Sequence, residues 1–174
     1  AKVFAGEDGS VIFDSGDRPA GSGHGATVAC LGDLDGDGTS EFAVGQPEQW
    51  QYPGSPPGTV FVYSGATRTL LRLLTGLADG DGFGTSIATL GDVNGDGCRD
   101  FLVGSPGFGL RPRSFLAKGR VAVFSGATFE EIRSFTGKRY GEFLGSRIAV
   151  MAPDDPLGSF FAAPIGGSNG RAGF

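Results

Sequence analysis

The chain repeats itself, and that limits its fold more than any other feature. Val28-Ala29-Cys30-Leu31-Gly32-Asp33-Leu34-Asp35-Gly36-Asp37-Gly38 returns 59 positions on (28 to 87) as Ile87-Ala88-Thr89-Leu90-Gly91-Asp92-Val93-Asn94-Gly95-Asp96-Gly97. The continuation Glu41-Phe42-Ala43-Val44-Gly45-Gln46-Pro47 returns as Asp100-Phe101-Leu102-Val103-Gly104-Ser105-Pro106. Further on, Val60-Phe61-Val62-Tyr63-Ser64-Gly65-Ala66-Thr67 recurs as Val121-Ala122-Val123-Phe124-Ser125-Gly126-Ala127-Thr128, and Val3-Phe4-Ala5-Gly6 fits the same place one period earlier. A period of this length describes one supersecondary unit whose copies cover one another's apolar faces.

The unit is all β. With 33 glycines and 10 prolines among 174 residues, few stretches can hold a long helix. The glycines do not fall at every third place, which excludes collagen. No apolar run reaches about 18 residues, the length a membrane-spanning helix needs. The first residues show no charged-then-apolar leader, which reads as a mature chain or an excised piece. A net charge of −5 without a basic stripe disfavours nucleic acid as a partner. In the second copy, strands are expected near 86–90, 100–104, 119–124 and 130–135, with Gly, Pro or Asp clusters in every gap. Four antiparallel strands in about 60 residues fit one blade of a β-propeller.

The loop between the first two strands carries the chemistry. Asp33, Asp35 and Asp37 alternate along a glycine-rich turn, followed by Glu41; the second copy offers Asp92, Asn94, Asp96 and Asp100. Carboxylates this crowded repel one another unless a cation sits among them. Oxygens at positions 1, 3, 5 and 9, with a backbone carbonyl at 7 (Thr39, Cys98), fill six or seven places around Ca²⁺. An EF-hand is excluded, because position twelve is Val44 or Val103 where a bidentate Glu is required. The loops carry charges of −4 and −3, so two bound Ca²⁺ ions would bring the chain from −5 to about −1. In the third copy, Ala152-Pro153-Asp154-Asp155-Pro156 lacks the alternation and reads as a solvated turn. Two calcium sites are expected.

These motifs resemble the FG-GAP family, whose repeats build the integrin α-subunit β-propeller and occur in many bacterial surface proteins. Phe83-Gly84 stands as "FG" and Val103-Gly104-Ser105-Pro106 where "GAP" belongs. The other copies read His24-Gly25 with Gly45-Gln46-Pro47, and Leu144-Gly145 with Ala162-Ala163-Pro164. The resemblance covers nearly the whole chain. It divides it into strands three and four of a first blade (1–22), two repeats with calcium loops (23–82 and 83–142) and a partial, degenerate repeat (143–174).

Alternating strand direction puts the calcium loops and the strand 3–4 turns at one end. The long strand 2–3 loops and the links between blades share the other. Trp50 and Tyr52 lie on one long loop; Arg111, Arg113, Phe115 and Lys118 lie on the next. Exposed aromatics and arginines on loops are common material of binding sites, and the resemblance implies ligand recognition at this end. The competing reading packs Trp50 on its own loop. His24, in the "FG" place, suits packing or a turn. Cys30 and Cys98 are not read as a disulfide scaffold, and Glu130-Glu131 read as surface positions.

One histidine and no evident nucleophile site leave little for catalysis, so the chain is not expected to be an enzyme. Two functions stand. One is a calcium-binding extracellular adhesion module, secreted or at a cell surface, that takes a protein or glycan ligand. The other is an accessory or scaffold propeller of a larger secreted enzyme of the polysaccharide lyase or phospholipase type. At about 60 residues per blade the chain makes just under three blades, and propellers generally need four to eight. The remaining blades are expected from a longer parent chain or from further copies, and two copies would give six.

Overall fold

The computed structural model describes residues 1–16, 23–48, 55–110, 116–151 and, for the backbone, 160–162. Among these there is no helix, and so none long and apolar enough to cross a membrane. Among the described residues, twelve strands form four antiparallel sheets. Strands β3 (Thr27–Gly32), β4 (Glu41–Gln46), β5 (Thr59–Tyr63) and β6 (Leu70–Thr75) form one four-stranded meander. Strands β7 (Ser86–Thr89), β8 (Phe101–Ser105), β9 (Arg120–Phe124) and β10 (Glu131–Thr136) form the other. These match the strands expected from the repeat to within a residue or so. Two hairpins flank them: β1 (Lys2–Phe4) with β2 (Val11–Asp14), and β11 (Ala149–Met151) with β12 (Phe160–Ala162).

The sheets stack face to face, and side-chain alternation assigns each residue to a seam. On β5, Val60 and Val62 enter the apolar cluster between the two large sheets. Their neighbours Phe61 and Tyr63 point the other way, toward Phe13 and Ala1 of the first hairpin. On β9, Ala122 and Phe124 join the central cluster, while Val121 and Val123 face Leu144, Ile148 and Val150. Successive side chains leave a strand on opposite faces. A strand buried on both faces therefore reads as an unbroken apolar run, as Val60–Tyr63 and Val121–Phe124 do. The outer strands are covered less: Leu70, Leu71 and Leu73 are exposed on β6.

The sequence period reappears as contacts across the seam. Thr27 Oγ1 donates to the Thr85 carbonyl at 2.7 Å, and Ser86 Oγ donates to the Gly145 carbonyl at 2.7 Å. Gly45 and Gly104 explain why one motif needs glycine. A Cβ on Gly45 would run into the Gly84 carbonyl oxygen, and one on Gly104 into that of Gly145. Neighbouring sheets therefore meet backbone on backbone at this place. The strand 3–4 turns repeat down to their dihedral angles, with Arg68 at φ 62° and Phe129 at φ 60°.

Both ends of the sheets are ordered as alternation requires. At one, the β3–β4 and β7–β8 loops lie beside the β5–β6 and β9–β10 turns. At the other, the buried Asp81 joins the link between sheets to a strand 2–3 loop. Its Oδ1 accepts the amides of Phe83 (2.9 Å) and Gly58 (3.2 Å), and its Oδ2 accepts that of Leu77 (2.8 Å). Glu131 is an exposed position on β10, as expected, and from there it pairs with Arg120, whose side chain is only 7% exposed.

Candidate metal centre

The first loop folds around the Asp33 side chain. Asp33 Oδ1 accepts the Gly36 amide at 2.7 Å and the Asp37 amide at 3.1 Å, while Oδ2 accepts that of Gly38 at 2.9 Å. Asp35 accepts the Asp37 amide at 3.2 Å, and Asp37 accepts that of Thr39 at 2.8 Å. Short polar side chains that bond their own backbone are what turns favour. Gly36 and Gly38, at φ 79° and 87°, hold the left-handed conformation that a residue with a Cβ resists.

The outcome is a cluster of three exposed carboxylates. Each of Asp33, Asp35 and Asp37 offers an oxygen within 4.8 Å of the others. Calcium binds oxygens at 2.3–2.6 Å, so two on opposite sides of one ion stand about 5 Å apart. The spacing fits a shared hard cation. Glu41 lies differently: it is fully buried at the start of β4. Its Oε2 accepts the Leu34 amide at 2.6 Å, and its Oε1 meets the Gly65 amide at 3.4 Å.

The second loop repeats this pattern bond for bond. Asp92 accepts the amides of Gly95 (2.7 Å), Asp96 (3.2 Å) and Gly97 (2.8 Å). Asn94 accepts the Asp96 amide at 2.9 Å, and Asp96 accepts that of Cys98 at 2.9 Å. Asp100 is fully buried and accepts the amides of Val93 (2.8 Å) and Gly126 (3.1 Å). Here Asn94 replaces the middle carboxylate and donates its Nδ2 to Asp96 at 2.8 Å. Ser125 donates to the same Asp96 oxygen at 2.8 Å.

Environment separates the acids of the second loop. The Cys98 amide, then the Asn94 and Ser125 side chains, hold Asp96 below its ordinary 3.8. Burial pushes Asp100 above 3.8, with the charges of Asp96 and Asp92 adding to it and the Val93 and Gly126 amides opposing it. Burial also raises the Cys98 thiol, followed by the charges of Asp96, Asp92, Asp100 and Asp33. The last of these belongs to the other loop. Cys98 Sγ in fact reaches the Leu34 carbonyl at 3.5 Å, so the two loops adjoin.

A family model, FG-GAP repeat, matches residues 83–124, from the "FG" pair through the second loop to the end of β9. Residues 83–124 are an FG-GAP repeat. The chain is 34% identical over 142 residues to integrin alpha-4 of Xenopus laevis, covering 78% of itself and 13% of that protein. It is 34% identical over 174 residues to integrin alpha-IIb of Homo sapiens, covering 93% of itself and 16% of that protein. With integrin alpha-PS2 of Drosophila melanogaster it shares 32% over 127 residues. The chain thus spans about a sixth or less of the length of these curated relatives.

The structure brings Asp33, Asp35, Asp37, Thr39 and Glu41 into one loop, and Asp92, Asn94, Asp96, Cys98 and Asp100 into its repeat. Trp50, Tyr52, Arg111, Arg113 and Phe115 lie outside the described residues. His24 packs edge-on against Phe61 with ring centroids 5.0 Å apart, and its Nε2 lies 3.0 Å from Ser15 Oγ. That is the packing role expected of it. Cys30 and Cys98 are free thiols. Sequence reasoning missed the part played by the Ser-Gly-Ala-Thr turn. Its recurrence was visible, but its place beside the acidic loop depends on the sheet.

Proposed function

We propose that the chain is a calcium-binding segment of an extracellular adhesion propeller. The observation that carries this is the triad of Asp33, Asp35 and Asp37, whose oxygens approach within 4.8 Å of one another on a loop rebuilt at 92–100. In each loop the residues at positions 1, 3, 5 and 9 would supply side-chain oxygens. Thr39 and Cys98 would supply backbone carbonyls. The metal would neutralise carboxylates that otherwise repel, and so fix the strand 1–2 connections and the stacking of blades 23–82 and 83–142. The similarity to integrin alpha subunits supports a place at a cell surface or in secreted material, with no catalytic step. A protein or glycan ligand would be met by the opposite end, where strand alternation in the sequence would put Trp50, Tyr52, Arg111, Arg113 and Phe115. Further blades would come from a longer parent chain or from other copies.

The test is calorimetric titration of the metal-stripped chain with CaCl₂, alongside melting in calcium and in EDTA. Uptake of two ions and a higher melting temperature in calcium are expected. No uptake, with identical melting in both buffers, would overturn the reading.

A further inference from the structure

The Ser-Gly-Ala-Thr turns recur in the sequence without an assigned role, and in the fold they back the acidic loops. In the second copy, two adjacent turn residues reach two different loop carboxylates. The Gly126 amide donates to Asp100 Oδ1 at 3.1 Å, and the Ser125 hydroxyl donates to Asp96 Oδ2 at 2.8 Å. Ser125 is 3% exposed, and its turn fixes it. Its amide donates to the Glu130 carbonyl at 2.9 Å, and its carbonyl accepts the Phe129 amide at 2.9 Å. Its hydroxyl oxygen accepts the Thr128 amide at 3.1 Å. A hydroxyl has one proton to give, and with the oxygen so engaged that proton is directed to Asp96.

The first copy has the same turn and lacks this bond. Ser64 is 2% exposed, and its hydroxyl accepts the Thr67 amide at 3.1 Å. Asp37 accepts the Thr39 amide, and among the described residues no bond joins it to Ser64. The Gly65 amide stands 3.4 Å from Glu41, farther than Gly126 from Asp100. The loop with four carboxylates is thus loosely backed, and the loop with three is tightly backed.

We infer that Ser125 is a positioning residue for metal binding in the second loop, holding the Asp96 carboxylate in place, and that Ser64 has no such part in the first. This rests on the calcium reading above. Charge draws a cation to the first loop. In the second, a prepared ligand offsets the carboxylate that Asn94 replaces. Groups that hold a ligand from behind commonly matter to affinity by 10- to 100-fold; Asp96 has other donors, which places Ser125 at the lower figure.

The experiment isolates each loop within the 174-residue chain. Asp33→Ala with Asp35→Ala silences the first loop, so that calorimetric uptake of calcium reports the second. On that background Ser125→Ala weakens calcium by about tenfold, and Ser125→Thr, which keeps the hydroxyl, recovers most of the loss. Ser125→Cys, close in volume but a weak donor, loses several-fold and serves if the alanine variant folds poorly. In the mirror background, with Asp92→Ala, Ser64→Ala shifts calcium affinity by less than about twofold. In EDTA, Ser125→Ala and Ser64→Ala each lower the melting temperature by a similar amount, because each removes the hydroxyl that accepts a turn amide. Unchanged affinity in both Ser125→Ala and Ser125→Cys overturns the inference, as does an equal loss from Ser64→Ala. A parent chain with both loops intact that takes up no calcium overturns the calcium reading itself, and this inference with it.

Discussion

The two acidic loops have nearly the same backbone and differ in what surrounds it. Asp33 and Asp92 each gather three amides of their own loop. Glu41 and Asp100 are each buried and each take an amide from their own loop and approach one from the neighbouring turn. The first loop then places a carboxylate at its middle position, whereas the second places an amide that donates to Asp96. Loop shape is therefore dictated by the first and last acids, and charge is adjusted in between. The buried and exposed acids have separable tasks.

The largest expected effect comes from breaking the part that the loops share. Glu41→Ala removes a buried acceptor from Leu34 and Gly65, and a buried amide left without its partner costs about 1–3 kcal/mol. With two amides affected, the variant should lose about 3 kcal/mol in urea unfolding with calcium present. A loss no greater than that of an exposed-acid variant such as Asp35→Ala would mean that Glu41 does not anchor the loop.

A smaller effect should follow from exchanging the part in which the loops differ. Asp35→Asn gives the first loop the charge of the second, and Asn94→Asp does the reverse. A unit charge close to a divalent ion in a water-exposed loop is worth about 1 kcal/mol or somewhat more. Calcium affinity should fall about tenfold in the first variant and rise in the second, by titration. Equal affinities across all three proteins would show that charge does not distinguish the loops.

The smallest effect concerns pH. Burial and the charges of Asp96 and Asp92 raise Asp100 above 3.8, so metal-free folded protein holds that proton more tightly than unfolded protein does. The Asp100 contribution is then most favourable below 3.8 and is lost as pH rises through the folded value. Compared with Asp100→Asn, the wild-type chain in EDTA should lose stability across that window, and calcium should restore it increasingly toward neutral pH. Parallel pH profiles for the two proteins in EDTA would refute the assignment.

Strand positions and loop chemistry were legible because both follow local rules. Alternation and the offsets of 59 residues (28 to 87) and 61 residues (60 to 121) place β7 to β10, and the Asp-x-Asp-x-Asp spacing places the carboxylates. What sequence hides is the company a residue keeps across the sheet. Asp81 reads as one more acid in Asp79-Gly80-Asp81-Gly82, yet it is buried and holds backbone amides from two connections. Arg120 reads as one more solvated charge, yet it is buried on β9 and paired with the exposed Glu131 on the adjacent strand. Ser125 and Ser64 occupy identical motifs, and only the distance to the neighbouring loop separates them.

The contacts of Gly84 on Gly45 and of Gly145 on Gly104 bear on how such a chain can grow. A joint between side chains demands that both partners change together when a unit is copied. Here the mating parts are a main-chain oxygen and a bare α-carbon, which both full copies bring with them. A duplicated stretch of gene would therefore encode a unit that already fits its parent, leaving its loops free to diverge.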